Sequence, residues 1–207
     1  MMISFSNVSV YNFENAIRGA RNPMSSWDKI DSFYNEAGDY VLGENDLRLA
    51  RSLCIAGSDH RKFMRQIFLS VDITAPLYWW KEYDTYKVGT VANSTSTMHK
   101  IHSKPIELGD FSHEYLDAST TQLLQDFVDA LEEIRLIYNQ TKDKGDWYKM
   151  IQLLPSSYNQ LRTCTMSYEN VVSMYHARKS HKLQEWRDFA TWVSTLPYAE
   201  QLITTIK

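Results

Sequence analysis

The sequence predicts an α+β fold, helix-rich around a small sheet, and three observations carry that expectation. Ile67, Leu69, Val71 and Ile73 alternate with Gln66, Phe68, Ser70 and Asp72, the period of a strand with one buried face. Leu123, Leu124, Phe127, Leu131, Ile134 and Tyr138 form one stripe at helical spacing. The 207 residues are 43% hydrophobic and 23% charged, the balance of an ordinary globular chain long enough to bury a sizeable core.

From the amino end, residues 3–10 alternate loosely and read as a first short strand. Phe13, Ala16, Ile17 and Ala20 then recur at helical spacing until Asn22-Pro23 breaks the pattern. The segment from Met24 to Gly43 has no clear period and reads as a loop or lid. Glu44 to Ala56 restores helical spacing, with Gly57 placed for a left-handed C-cap. After the strand, Ala75-Pro76 closes it, Leu77 to Tyr86 reads as a helix, and Gly89 to Thr97 as a polar loop. Ser119 with Gln122 makes a capping box for the striped helix, which stops near Lys144-Gly145. A short helix from Trp147 to Leu153 precedes Pro155, and two more patterns cover about 168–177 and 182–193.

Composition also excludes functions. A net charge of −3 argues against a dominant nucleic-acid-binding role, which needs a basic face. Cys54 and Cys164 have no metal-type spacing and are expected as reduced thiols, Cys164 buried and inert. The amino terminus lacks a signal-peptide pattern and no stretch is long enough to span a membrane, so the expected location is the cytoplasm. His99-x-x-His102 has no cysteine partner or helical His-Glu-x-x-His setting, which favours hydrogen-bonding histidines over a metal site. Glycine-rich phosphate loops of the common cofactor folds are absent.

Two polar sets stand out. Lys81-Glu82-Tyr83-Asp84-Thr85-Tyr86-Lys87, followed by Thr90, Asn93, Ser94, Thr95 and Ser96, joins cations to hydroxyl and amide groups beside a helix end. It suits phosphates or a flavin, or else is a solvated helix and a polar turn. Tyr175-His176-Ala177-Arg178-Lys179-Ser180-His181-Lys182 concentrates cations between two helices, as an anion clamp or a basic surface turn.

With the elements between them, these sets make the chain resemble the flavin-dependent thymidylate synthases. Gly57, Phe63-Met64-Arg65, the strand through Ile73, Ala75-Pro76, and the helix through Tyr83 follow in that family's order. So do Leu154-Pro155, Thr165-Met166-Ser167-Tyr168-Glu169, Arg178 and Gln184-Glu185-Trp186. Ala16-Ile17-Arg18-Gly19-Ala20-Arg21 is similar to its first helix, so the likeness spans nearly the whole chain. The signature is altered: Thr85-Tyr86-Lys87 stands for Arg-His-Arg, Thr90 matches the serine, Asn93 and Ser96 match after one inserted residue, and the last Arg falls on Met98. Arg65 replaces the flavin-associated histidine, and Glu169 puts an acid where a cation is usual, which should weaken phosphate binding.

The resemblance implies a thymidylate synthase-complementing-protein fold: a small, mostly antiparallel sheet with packed helices in one domain over 1–207, with a helical insertion about 112–153. It implies FAD, NADPH and methylenetetrahydrofolate acting on dUMP in a homotetramer, the flavin carrying the redox chemistry. Arg65, Lys87, Thr90, Asn93 and Ser96 become the cofactor-binding candidates. Arg178 becomes the catalytic candidate and, with Ser167 and Gln184, the substrate-binding set. The alternative is a catalytically inactive nucleotide-binding or protein-interaction protein that kept the fold.

Overall fold

The computed structural model describes residues 3–206, so both ends of the expected 1–207 domain lie outside the described residues. The chain forms two compact units interleaved along the sequence. A first unit takes residues 3–6, 72–85 and 92–163, and a second takes 7–71, 86–91 and 164–206. Strands β1 (Ser4–Tyr11), β4 (Phe68–Pro76), β6 (Asn159–Ser167) and β5 (Thr90–Ser94) form a small antiparallel sheet in the order β1-β4-β6-β5. β2 (Phe33–Tyr34) and β3 (Tyr40–Val41) make a separate antiparallel hairpin.

The second unit holds α1 (Phe13–Ala20), α2 (Glu44–Ile55), a 3-10 turn at Lys62–Arg65, α6 (Tyr168–Arg178), α7 (Gln184–Val193) and a π turn at Glu200–Thr204. Its part of β4 is the most legible element, because Leu69 and Val71, like Ile67 just before the strand, are fully buried. Gly57 follows α2 at φ 109, a conformation that favours glycine over any residue with a Cβ. The Met24–Gly43 segment, expected as a loop or lid, holds a 3-10 turn at Trp27–Lys29 and the β2–β3 hairpin, and it is anchored. Arg21 and Asp46 form a buried ion pair at 2.6 Å. Asp46 also accepts from the Ser32 hydroxyl at 2.6 Å and from the backbone of Asp31 and Ser32. Asp31 in turn accepts from the N–H groups of Asn45 and Asp46 at the start of α2. Those donated bonds hold its carboxyl below the usual range, against the opposing effect of desolvation.

The first unit holds α3 (Leu77–Tyr83), α4 (Ala118–Thr141) and α5 (Lys144–Leu153). Ile101, Ile106, Phe111, Val128, Leu131, Met150 and Tyr158 make its core. Arg135, buried on α4, donates to the His102 carbonyl at 3.1 Å while pairing with Glu132. Glu132 also accepts from the Ile106 N–H at 2.9 Å, so the 101–106 loop is stitched to the helix. Trp79, Trp80 and Tyr83 bury their rings in mutual contact on α3.

Several expectations need correction. Residues 90–94 are a strand, not a loop: β5 is polar and exposed on both faces, so no alternation marks it. β6 gives no apolar period either, because it buries Gln160 and Ser167 and exposes Leu161. α4 is capped by Asp117, whose carboxylate accepts from the Thr120 N–H at 2.8 Å, so the Ser119 capping box does not form. Leu123 stays 69% exposed, and Val128 and Leu131 mark the buried face. α4 ends at Thr141 with Lys142 left-handed, and α5, capped by Asp143, starts at Lys144, three residues before the expected Trp147.

Candidate functional site

α6 is the spine of the candidate site in the second unit. It starts where β6 ends because Ser167 caps it. The Ser167 hydroxyl donates to Asn170 Oδ1 at 2.6 Å, and the Asn170 N–H donates back to Ser167 Oγ at 3.3 Å. Such reciprocal bonds satisfy donors that a helix start leaves orphaned. Its other end carries Arg178, a cation that suits the negative pole of the helix.

Arg178 is held in a bracket of aromatic rings. Its Nε donates to the Tyr86 hydroxyl at 2.9 Å. Its Cζ lies 5.6 Å from the Tyr86 ring centroid and 5.0 Å from that of Trp186, which is fully buried on α7. A guanidinium over aromatic faces keeps its charge and gains a fixed plane.

Residues 86–90 lie along α6 as a strap. Asn170 Nδ2 donates to the Val88 carbonyl at 2.7 Å. The Thr90 hydroxyl donates to the Tyr86 carbonyl across the bend. Gly89 turns the strap at φ 76, where an added Cβ would lie 3.0 Å from Asn170 Oδ1. Lys87 is exposed at the tip. The strap thereby runs alongside α6, which carries Ser167 at its start and Arg178 at its end, and the Ser167 and Thr90 hydroxyls are committed to internal bonds.

The other candidates fare differently. Gln184 starts α7, where its amide donates to Asp188 at 2.6 Å and accepts from Arg187 at 3.1 Å, so it serves helix and loop geometry. Arg65 is exposed on the 3-10 turn, while the arginine that turn buries is Arg61. Arg61 grips Glu169 on α6 with both Nε and a terminal nitrogen, at 2.9 and 3.1 Å. This corrects the expectation for Glu169: the acid is neutralised by a bidentate partner and does not face an anion as a bare charge. Asn93 and Ser96 belong to the first unit. Asn93 is exposed on β5, and the Ser96 hydroxyl accepts from the His99 N–H at 2.9 Å.

Tyr86, Asn170, Trp186 and Arg61 are the site residues that sequence reasoning missed. An aromatic beside Lys87 and another after Gln184 were the available signals for the bracket; nothing local marks Arg61 or Asn170. Cys54, buried beneath the Arg61–Glu169 pair, has its thiol pushed up to about 12, chiefly by burial. His102 packs edge-on against Tyr138 at 5.0 Å. Among the described residues no group of three His, Cys, Asp or Glu side chains suits a metal, and no helix is long and apolar enough to cross a membrane.

With this geometry in place, solved structures give a full-length match. One is thymidylate synthase X (ThyX) of Helicobacter pylori with FAD and dUMP: TM-score 0.71, 16% identity, covering 98% of this chain and 97% of that one. The fold is that of ThyX. A second structure of the H. pylori enzyme, also complexed with FAD and dUMP, matches at TM-score 0.68 and 17% identity over 100% of both chains. No family model and no curated protein matches the sequence. The ThyX likeness is therefore one of backbone architecture, consistent with the altered signature.

Proposed function

We propose that this chain binds FAD and a pyrimidine nucleotide of the dUMP type, and methylates that nucleotide or a close variant of it. The observation that carries the reading is Arg178, fixed by Tyr86 and Trp186 in a fold whose H. pylori representatives are complexed with FAD and dUMP. The donor set fits anionic nucleotides in charge, since Arg65, Lys87 and Arg178 are all cations of the second unit. Bound FAD would supply the redox chemistry, with NADPH and methylenetetrahydrofolate as co-substrates.

Within that reading Arg178 offers a planar, preoriented cation to a pyrimidine oxygen or a phosphate. Lys87 and Arg65 neutralise phosphate charge, and Asn93 and Ser96 add polar contacts to the cofactor. The protein acts as a cytoplasmic homotetramer, which would complete each site from more than one copy. The test is the visible spectrum of the purified protein before and after adding FAD and removing the excess. Retained flavin bands, followed by dUMP-dependent NADPH oxidation, support the reading; a colourless protein that cannot retain FAD refutes it.

One observation favours a second reading, a nucleotide-binding protein without catalysis. The Ser167 hydroxyl and Gln184 amide, both expected on substrate, are consumed by bonds within their own helix ends. Saturable dUMP binding by a protein that retains no flavin would select it.

A further inference from the structure

A cleft of ≈ 480 Å³ in the second unit is walled by aromatic rings that the Arg178 site does not use: Tyr11, Phe13, Tyr40 and Tyr198. We propose that it binds an alkylammonium cation, the end of a small polyamine or of a lysine side chain. Its volume is in the range of small-molecule sites, and such a ligand has the opposite charge to anything Arg178 would hold.

Charge is the first argument. Among the described residues that line the cleft, Asp39 is the one charged side chain, and it makes no ion pair with a described residue. The β2–β3 turn fixes it: Asn35 Oδ1 accepts from the Asp39 N–H at 2.8 Å, and the Asn35 N–H donates to the Asp39 carbonyl at 2.9 Å. The carboxylate itself takes only a long bond from the Asn35 amide, at 3.4 Å, so most of its acceptor capacity is open. On the facing wall, burial raises the Tyr40 phenol against a bond with Ser32, and the carboxylates of Asp46, Glu14 and Asp31 raise it further. The cleft thus lies in a negative field.

The rings are the second argument. Phe13 and Tyr198 meet at 5.4 Å with their planes at 75°, forming a corner instead of a closed stack. Tyr11 stacks on Phe68 at 5.8 Å yet stays 46% exposed. A cation within about 6 Å of such a ring face is drawn to its negative quadrupole.

The backbone supplies the third. Tyr198 has φ 56 and Asn12 φ 74, two left-handed residues on one cleft. That conformation is an outlier for a bulky residue and persists only where the surroundings enforce it. Here the Leu42 N–H donates to the Tyr198 hydroxyl at 2.8 Å, and the Tyr168 hydroxyl donates to the Pro197 carbonyl at 3.0 Å. The aromatic corner is therefore locked before any ligand arrives, the condition for a preorganised site.

Ligand-observed NMR titration of the full-length protein with n-butylammonium, spermidine and Nα-acetyl-lysine amide, and with uncharged n-butanol, tests this. The ammonium ligands should bind and butanol should not. Asp39→Asn and Tyr11→Leu, both at exposed positions, should each weaken ammonium binding about 3- to 5-fold, whereas the remote charge control Glu133→Gln should not. If the dependence appears for spermidine alone, the cation is a free polyamine's; if for the lysine amide alone, it is a protein side chain's, and the site stands with that source. The proposal is overturned if no ammonium ligand binds, if butanol binds as tightly, or if Asp39→Asn and Tyr11→Leu proteins with wild-type circular dichroism bind all three cations as the wild type does.

Discussion

The Arg61–Glu169 pair makes a sharp test of how the second unit is held. The two side chains are 11% and 17% exposed, and Arg61 contacts the carboxylate at 2.9, 3.1 and 3.2 Å. Replacing one partner of such a pair strands a charge that burial has largely stripped of water. Arg61→Met should therefore destabilise the protein by about 3 kcal/mol, the low end for buried pairs because some solvent reaches the carboxylate. With a urea slope of about 3 kcal/mol/M for a chain of this size, the midpoint should fall by roughly 1 M. Glu169→Leu should cost about the same, and Arg61→Met/Glu169→Leu, which removes both charges together, should cost about 4 kcal/mol where the sum is about 6, a double-mutant coupling of about 2 kcal/mol. Additive single-mutant losses in urea melts followed by circular dichroism would refute the pairing, and with it the claim that Glu169 is neutralised.

Arg178→Lys keeps the charge but loses the bond to Tyr86 and the planar stack, so dUMP affinity measured by calorimetry should fall at least tenfold, roughly 1.4 kcal/mol. Cys54 should resist a thiol reagent at mildly alkaline pH in the native protein and react promptly in denaturant, since burial pushes its thiol up to about 12. Asp117 at the α4 N-cap has its carboxyl lowered from 3.8 to about 2 by bonds from Thr120 and Ser119. A depressed folded value means that its contribution is present above pH 3.8 and is lost as pH falls toward 2. Asp117→Asn should accordingly flatten that part of the acid-unfolding profile; an unchanged profile would remove the cap from the account.

What could be read from the chain follows from where its information lies. β4 was legible because Leu69, Val71 and Ile73 are all fully buried on one face, with Ile67 buried just before them, and local periodicity reports one-sided burial. β5 and β6 were not, because β5 is an exposed, polar edge strand and β6 buries polar residues, so hydropathy and burial diverge. At the site, Arg178 stood out as the central cation of a basic cluster beside a helix end. Its brackets Tyr86 and Trp186 were read as signature and helix residues, since only the fold turns them toward the guanidinium. Arg61 was invisible for a stronger reason: its partner is 108 residues away, and no local pattern encodes that distance.

The strap explains how a signature so altered can still present an ordered cation. Asn170 holds Val88 near the start of α6, and Arg178 holds Tyr86 at its end. Eight residues of helix separate the two anchors, about 12 Å of axis, and Thr90 closes the bend between them. Side chains fixed at two points along a rigid helix lose little further freedom when a ligand arrives, which is the condition for a preorganised site. Gly89 is the residue on which this depends, because φ 76 strains any residue with a Cβ and an added Cβ 3.0 Å from Asn170 Oδ1 would press on that side chain. Gly89→Ala should cost about 1–2 kcal/mol in backbone strain and displace Val88 from Asn170. If Arg178 owes its placement to the strap, the same substitution should also weaken nucleotide binding, although residue 89 presents no polar side chain to a ligand. A Gly89→Ala protein that loses stability but binds dUMP with wild-type affinity would show that Trp186 alone sets the position of Arg178.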